Sequence, residues 1–258
     1  MRFNRCNTYV SPKAKIGQNV LIGDNAVIYD NVEIGDDSTI CDYAVIGEPL
    51  MGYYRDPAYE NPATVIGPNA FIRSHSIIYA RSTMGANFST GHHVTIREDT
   101  HIGESSSVGT LSDIEGDVKI GNFTRLHSNV HIAQTCTIGD FVFMFPYTVM
   151  TNDPYPPSDD IKGGSIGDYT QVCVHSIILP GVKVGNNCLI GANSVVNRAL
   201  KDYSFAMGNP AKVMMDIRKY VAVGKGRLYP WMYRFDKRMP WAGIGYDKWL
   251  KLKGQPAD

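Results

Sequence analysis

The chain of 258 residues has only five cysteines and no CxxC pair, and its 25 basic residues balance 25 acidic ones. Cysteines so scattered give no spacing for a disulfide framework or a thiolate metal site, and they read as buried or incidental thiols. Balanced charge removes the case for nucleic acid or an anionic membrane as partner. The opening MRFNRCNTYVSP lacks the apolar run of a signal peptide. The longest apolar stretch, around Phe141 to Met150, is too short to span a bilayer. These absences lead to the expectation of a cytoplasmic protein with neither nucleic acid nor membrane as partner.

What the chain has in quantity is a period. From Ile66 to Met150 an aliphatic residue recurs at every sixth position, through Ile78, Ile96, Ile114 and Ile132, and only Thr90 breaks the rule. Two positions earlier stands a small or β-branched residue, among them Ser76, Ser112, Thr124 and Cys136, with Phe88 the exception. A period of six with two inward positions matches neither a helix, at about 3.6, nor a flat strand, at about 2. It is a hexapeptide β-helix repeat.

The frame starts at Val10 and is broken twice. The step from Ile46 to Ile66 is twenty residues where a full coil would take eighteen, and the step from Met150 to Ile166 is sixteen. Both segments are rich in Pro, Gly, Tyr or Asp, so they are expected to be surface excursions, at 47–65 and 151–165. The tyrosines Tyr53, Tyr54 and Tyr59 of the first suit stacking on a nucleotide base or packing on a neighbouring subunit. The repeat resumes at Ile166 and ends at Val196.

On these repeats the chain resembles the left-handed parallel β-helix family of hexapeptide-repeat transferases, whose coils of three hexapeptides form a triangular prism. The expected fold is all-β: a left-handed β-helix over residues 1–200, then a short C-terminal helix and an aromatic-rich tail over 201–258. Pro210 in GNPAK is expected to start that helix as an end cap, and the tail with Trp231, Trp241 and Trp249 to dock on its own or an adjacent subunit. Corners need a left-handed backbone, which suits Asn69, Asn87, Asn129, Asn187 and Asn193 at one corner position.

The motifs SNVHIAQTCTIGD, PYTVMTNDPYPP, IILPGVKVGNNCLIGANSVV and GNPAK resemble bacterial acyltransferases that acylate the amino group of nucleotide-linked amino-deoxy sugars. The resemblance implies a homotrimer with clefts between subunits. It implies transfer of an acyl group, by default acetyl, from acyl-CoA to the 3- or 4-amine of a dTDP- or UDP-linked sugar in surface polysaccharide synthesis, with no tightly bound cofactor.

Residues eighteen apart stack in columns, so the period also places side chains. Asp113 and His131 should lie one coil apart on one face, as should Arg97 and Glu115, beside a corner column of Glu98, Gly116, Gln134 and Asn152. Asp113, Glu115 and His131 are the catalytic candidates. Glu98, Arg97, Gln134, Asn152, Asp153 and Tyr155 are the substrate-binding candidates. Lys212, Arg198 and Gly139 are the candidates for acyl-CoA. A row at Gly85, Gly103, Gly121 and Gly139 is expected to admit a partner subunit or a pantetheine arm.

Relatives that acylate hydroxyls read His-x-x-His where this chain has His131 and Gln134, and a second subgroup has its histidine where Asp153 and Pro154 stand. An alcohol needs a base to attack a thioester. A sugar amine, whose conjugate acid titrates at about 8, is already partly neutral and nucleophilic near pH 7. The missing histidines therefore favour an amine. The rival readings are a sugar O-acetyltransferase, a zinc enzyme of the carbonic-anhydrase kind using His127 and His131, and a non-catalytic trimeric scaffold. No metal is assigned, because the spacing of His127 and His131 departs from the zinc pattern.

Overall fold

The computed structural model describes residues 5–222 and 225–254. Three parallel sheets form the faces of a triangular prism. The first runs from Tyr9–Val10 to Val195–Val196, the second from Lys15–Ile16 to Lys183–Val184, and the third from Leu21–Ile22 to Ser204–Met207. Except across the two excursions and at the C-terminal end, each strand pairs with the one eighteen residues on, as Ile96 does with Ile114 and Ile114 with Ile132. The inward aliphatic column Ile28, Ile46, Ile78, Ile96, Ile114 and Ile132 is fully buried. Each such side chain contributes about 1.5–3 kcal/mol of hydrophobic stabilisation.

The small inward partners have a second role. Several of their hydroxyls donate to carbonyls fifteen residues on: Ser82 to Arg97 at 3.0 Å, Ser106 to Gly121 at 2.7 Å, Ser112 to His127 at 3.0 Å and Thr124 to Gly139 at 2.7 Å. A buried hydroxyl without a partner is costly, so these bonds let polar residues line a closed prism. The two exceptions to the pattern fall in one hexapeptide: Phe88 and Thr90 are both buried, the large side chain at the small position and the small one at the large. The volumes exchange and the core stays filled.

Corners take the left-handed backbone at asparagines and equally at aromatic residues, including Asn69 (φ 57°), His75 (φ 61°), Phe141 (φ 57°) and Tyr169 (φ 58°). Repetition brings those rings into stacks, Phe123 on Phe141 at 5.2 Å and Phe141 on Tyr169 at 4.8 Å. The tail docks on this platform. Phe141, Phe143, Trp231, Met232, Met239 and Trp241 form a second buried cluster, with Trp231 Nε1 donating to the Tyr169 carbonyl at 2.8 Å. The final four residues of the tail lie outside the described residues.

Two expectations are corrected here. The GNPAK segment starts no helix. After a turn with Gly208 at φ 104°, Lys212–Asp216 returns as an antiparallel strand against Ser204–Met207. The end of the third sheet offers unpaired backbone groups, and the run KVMMD has the apolar, β-favouring character to use them. The single α-helix among the described residues is α1, Tyr246–Leu252. The excursions are also longer than a count against one coil suggests. Ile66 stacks on Ile34 and Ile166 on Ile138, steps of thirty-two and twenty-eight residues, so fourteen and ten are inserted. Both insertions leave the prism at the same edge, between the first and second faces.

Candidate active site

That edge, called the first edge below, also holds most of the ionisable groups singled out by sequence. Asp113 and His131 are paired residues on adjacent strands of the first face. His131 Nδ1 lies 3.4 Å from Asp113 Oδ2, and its Nε2 lies 3.4 Å from Glu115 Oε1. The bond to Asp113 is the main reason the His131 pKa is raised above its ordinary value, and the negative charges of both carboxylates add to it against an opposing effect of burial. Glu115 also accepts from the backbone N–H of Gln134 at 3.3 Å, and the Gln134 carbonyl accepts from Asn152 Nδ2 at 3.4 Å. The result is a chain from Asp113 through His131 and Glu115 to the next coil, partly open to solvent.

Arg97 and Glu115 lie one coil apart, as expected, but make no ion pair with each other. Arg97 donates to its sequence neighbour Glu98, Nε to Oε2 at 3.1 Å and Nη2 to Oε1 at 2.7 Å. Glu115 is engaged instead with His131 and Gln134, which present positive charge and a fixed donor. Asp153 turns inward on its own excursion, accepting from the backbone N–H groups of Tyr155 and Ser158 and from the Ser158 hydroxyl, at 2.9, 2.8 and 2.7 Å. The Ser158 hydroxyl is the main cause that holds its carboxyl below the usual range. Tyr155 projects from the same loop, 72 % exposed. Lys162 N–H to the Asn152 carbonyl, at 2.7 Å, closes the base of the loop.

Arg198 falls two positions after Val196 on the first face, in the corner column of Glu98, Gln134 and Asn152 and two coils beyond Asn152. Lys212 sits on the antiparallel strand at the end of the third face, away from that edge. The glycine row has a different reason from the one expected. A Cβ on Gly121 would lie 2.3 Å from Asp140 Oδ1, and one on Gly139 would lie 2.2 Å from Asp168 Oδ1. Each of those carboxylates folds over the preceding glycine to accept a backbone N–H, Asn122 to Asp140 at 2.6 Å and Asp140 to Asp168 at 2.8 Å. The fold itself thus requires glycine at these positions, and the half-exposed row with Gly139 owes its residue type to that requirement.

Cys136 and Cys188 are buried in the prism, and burial pushes both thiols up to about 11, which leaves them unreactive. His127 stands on the third face with its ring on Phe145 at 4.9 Å and does not converge with His131. His93 stacks on His75 at 4.6 Å, and His92 meets Ser74 at 3.0 Å. Among the described residues one group, Asp113, Glu115 and His131, brings three potential metal ligands within 4.8 Å of one another. Both imidazole nitrogens already face a carboxylate, so the ring's hydrogen-bonding capacity is engaged within the group itself. The arrangement suits proton handling better.

Comparisons with known proteins agree with the repeat. The family model of the bacterial transferase hexapeptide (six repeats) matches residues 13–48 and 163–198. A probable acetyltransferase of Mycobacterium tuberculosis is 29% identical over 126 residues, covering 44% of this chain and 41% of its own length. Galactoside O-acetyltransferase of Escherichia coli is 30% identical over 111 residues, covering 39% of this chain and 55% of its own. The chain thus spans less than two thirds of either relative. Arabidopsis UDP-N-acetylglucosamine acyltransferase superposes with a TM-score of 0.59 over 80% of this chain and 72% of its own, at 16% identity, a likeness of fold. Two stretches of the chain thus match the hexapeptide repeat of bacterial transferases, and the fold is that of a left-handed parallel β-helix. No helix of the described residues is long and apolar enough to cross a membrane.

Proposed function

We propose that the protein is an acyl-CoA-dependent acyltransferase that acylates the 3- or 4-amine of a dTDP- or UDP-linked amino-deoxy sugar, for surface polysaccharide synthesis in the cytoplasm. Acetyl is the default acyl group, and the working form is a homotrimer with its sites at the clefts. The observation that carries this reading is His131 held between Asp113 and Glu115, with Gln134 where a second histidine would serve a hydroxyl acceptor.

The sugar amine attacks the thioester carbonyl, the C–N bond forms, and the tetrahedral intermediate expels the coenzyme A sulfur as the C–S bond breaks. The ammonium proton passes to Glu115, with His131 sharing the charge and Asp113 fixing the ring. The departing thiolate takes up a proton, so amine and thioester give amide and thiol. A raised pKa keeps a histidine imidazolium to higher pH than a free ring, and in that form it is no base for an alcohol but a good electrostatic partner for a carboxylate that accepts from an amine. Proximity along one edge supplies much of the rate. Glu98 and Asn152 stand beside this group for sugar contacts. Arg198, two coils or about 10 Å beyond Asn152 on the same edge, is placed for the phosphates of coenzyme A.

One observation favours a second reading, sugar O-acetylation. The Asp113–His131 pair, once neutral, has the layout of a base oriented by a carboxylate. A free-thiol assay with acetyl-CoA and matched panels of dTDP- and UDP-linked amino sugars and their hydroxyl counterparts separates the two. Coenzyme A release with amino sugars alone is expected. Release with hydroxyl sugars alone selects the second reading, and release with neither, after longer acyl donors are tried, refutes both.

A further inference from the structure

The first excursion leaves the same edge as the candidate active site and carries a group of tyrosines that the chemistry above does not use. Tyr53 is at the centre, edge-on to Tyr29 at 5.9 Å, to Tyr54 at 5.3 Å and to Tyr59 at 6.2 Å. The Tyr54 hydroxyl donates to Glu48 Oε1 at 3.2 Å, while its ring is 64 % exposed. Burial holds the Glu48 carboxyl above its usual range. The Tyr59 hydroxyl and Asn61 Oδ1 are buried with no hydrogen-bond partner, a costly state in a built loop. The group thus offers an exposed aromatic face, a carboxyl acceptor and unspent polar atoms together.

Its position along the edge gives these features a direction. Glu48 pairs with Tyr79 on the next strand of the first face, and Arg97 and then Glu115 follow Tyr79 in the same row. Glu48 to Glu115 is three coil steps, about 14 Å at the spacing of paired strands. The two intervening coils bring Arg81 and Arg97 to the edge, Arg81 in an exposed pair with Asp99 at 2.8 Å and Arg97 in a half-buried pair with Glu98 at 2.7 Å. An exposed pair like that of Arg81 contributes little and is readily exchanged, and a phosphate accepts guanidinium donors in the bidentate geometry that binds most strongly. From one end of the row to the other the edge therefore reads aromatic with an acceptor, then two guanidinium groups, then a carboxylate with an imidazolium.

We infer that the Tyr53, Tyr54 and Tyr59 excursion with Glu48 is the base-recognition end of a nucleoside-diphosphate site, with Arg81 and Arg97 at the diphosphate and the sugar amine at Glu115. This rests on the proposed acyl transfer to a nucleotide sugar and assigns the nucleotide end of that substrate. A nucleobase stacks on the exposed Tyr54 face, and its N–H edge donates to Glu48.

The test is titration calorimetry of the full-length protein with UDP, dTDP, GDP, ADP and CDP, without acyl donor. Far-UV circular dichroism and melting of each variant verify folding. At least one diphosphate is expected to bind, and Tyr54→Ala and Glu48→Gln are each expected to weaken it about tenfold. Tyr54→Phe, which keeps the ring and loses only the hydroxyl, should fall between the wild type and Tyr54→Ala. Diphosphates that bind equally well to Tyr54→Ala and Glu48→Gln overturn the inference, and so does binding of none of the five. A Tyr54→Ala protein with altered association state and unchanged affinity also overturns it, making the excursion a contact between copies. If Tyr54-dependent binding is found but no sugar panel releases coenzyme A, the inference stands and the acyl-transfer reading fails.

Discussion

Two edges of the same prism use the same repeat in opposite ways. At the edge between the second and third faces, each corner carboxylate or amide of the ladder Asn122, Asp140, Asp168 and Asn186 is spent on a backbone N–H of the coil before it, over a glycine with no room for a Cβ. At the first edge the polar groups are in excess of what the backbone requires. Asp113, Glu115 and His131 face one another across coils, Arg97 and Glu98 pair at the surface, and both excursions emerge there. An edge whose polar atoms are all consumed by the fold can only hold it together. An edge with surplus ionisable groups in fixed register can bind and transfer protons, which is why the chemistry is assigned to the second kind.

The contrast breaks most sharply if the ladder edge is damaged. Gly121→Val would drive a side chain into Asp140 and the Gly139 backbone, so a loss of about 3 kcal/mol or more in denaturant titration is expected. A loss under about 0.5 kcal/mol would show that the coils separate freely there. At the first edge the largest expected effect is on rate. Asp113→Asn should lower acyl transfer at least about tenfold, about 1.4 kcal/mol in the barrier, while the melting temperature changes little. Normal turnover would remove Asp113 from the mechanism.

The pH dependence follows from His131. Its pKa is raised, so the ion pairs contribute stability fully below about pH 6.5, the ordinary histidine value, and lose it as pH rises through the raised value. Through the same interval the ring becomes neutral and Glu115 loses its imidazolium partner, so kcat/KM is expected to fall along a limb set by His131. Asp113→Asn removes the main cause of the shift, so its limb should move to lower pH, and His131→Gln should abolish the limb. A falling limb that keeps its position in both variants removes His131 from the pH dependence. The smallest expected effect is that of Gln134→Ala, under about threefold in rate, because Glu115 accepts from the Gln134 backbone rather than its side chain. A tenfold loss there would give the side chain a part in proton transfer.

Much of this site was legible as periodicity. Asp113 and His131 could be placed one coil apart because both stand one residue before an inward isoleucine, Ile114 and Ile132. The same method placed Arg97 and Glu115 one coil apart but could not tell that they would make no ion pair. Columns fix backbone register, and Arg97 had a closer carboxylate on its own strand. The GNPAK helix failed for a related reason, since a proline turn is a local signal and the open end of the third sheet is not. The common edge of the two excursions needed the pairing of Ile66 with Ile34 and Ile166 with Ile138, which a count along the chain does not give.

The sequence by itself determined the prism. A six-residue alternation of aliphatic and small side chains can bury its apolar face only by coiling, and each coil then dictates the place of the next. Only the tertiary structure decided where side chains with several partners went: His131 between two carboxylates, Asp153 into its own loop, the tail tryptophans onto the stacked rings of Phe141 and Tyr169. Those choices depend on distances across coils and on competition among neighbours, and neither is a property of spacing along the chain.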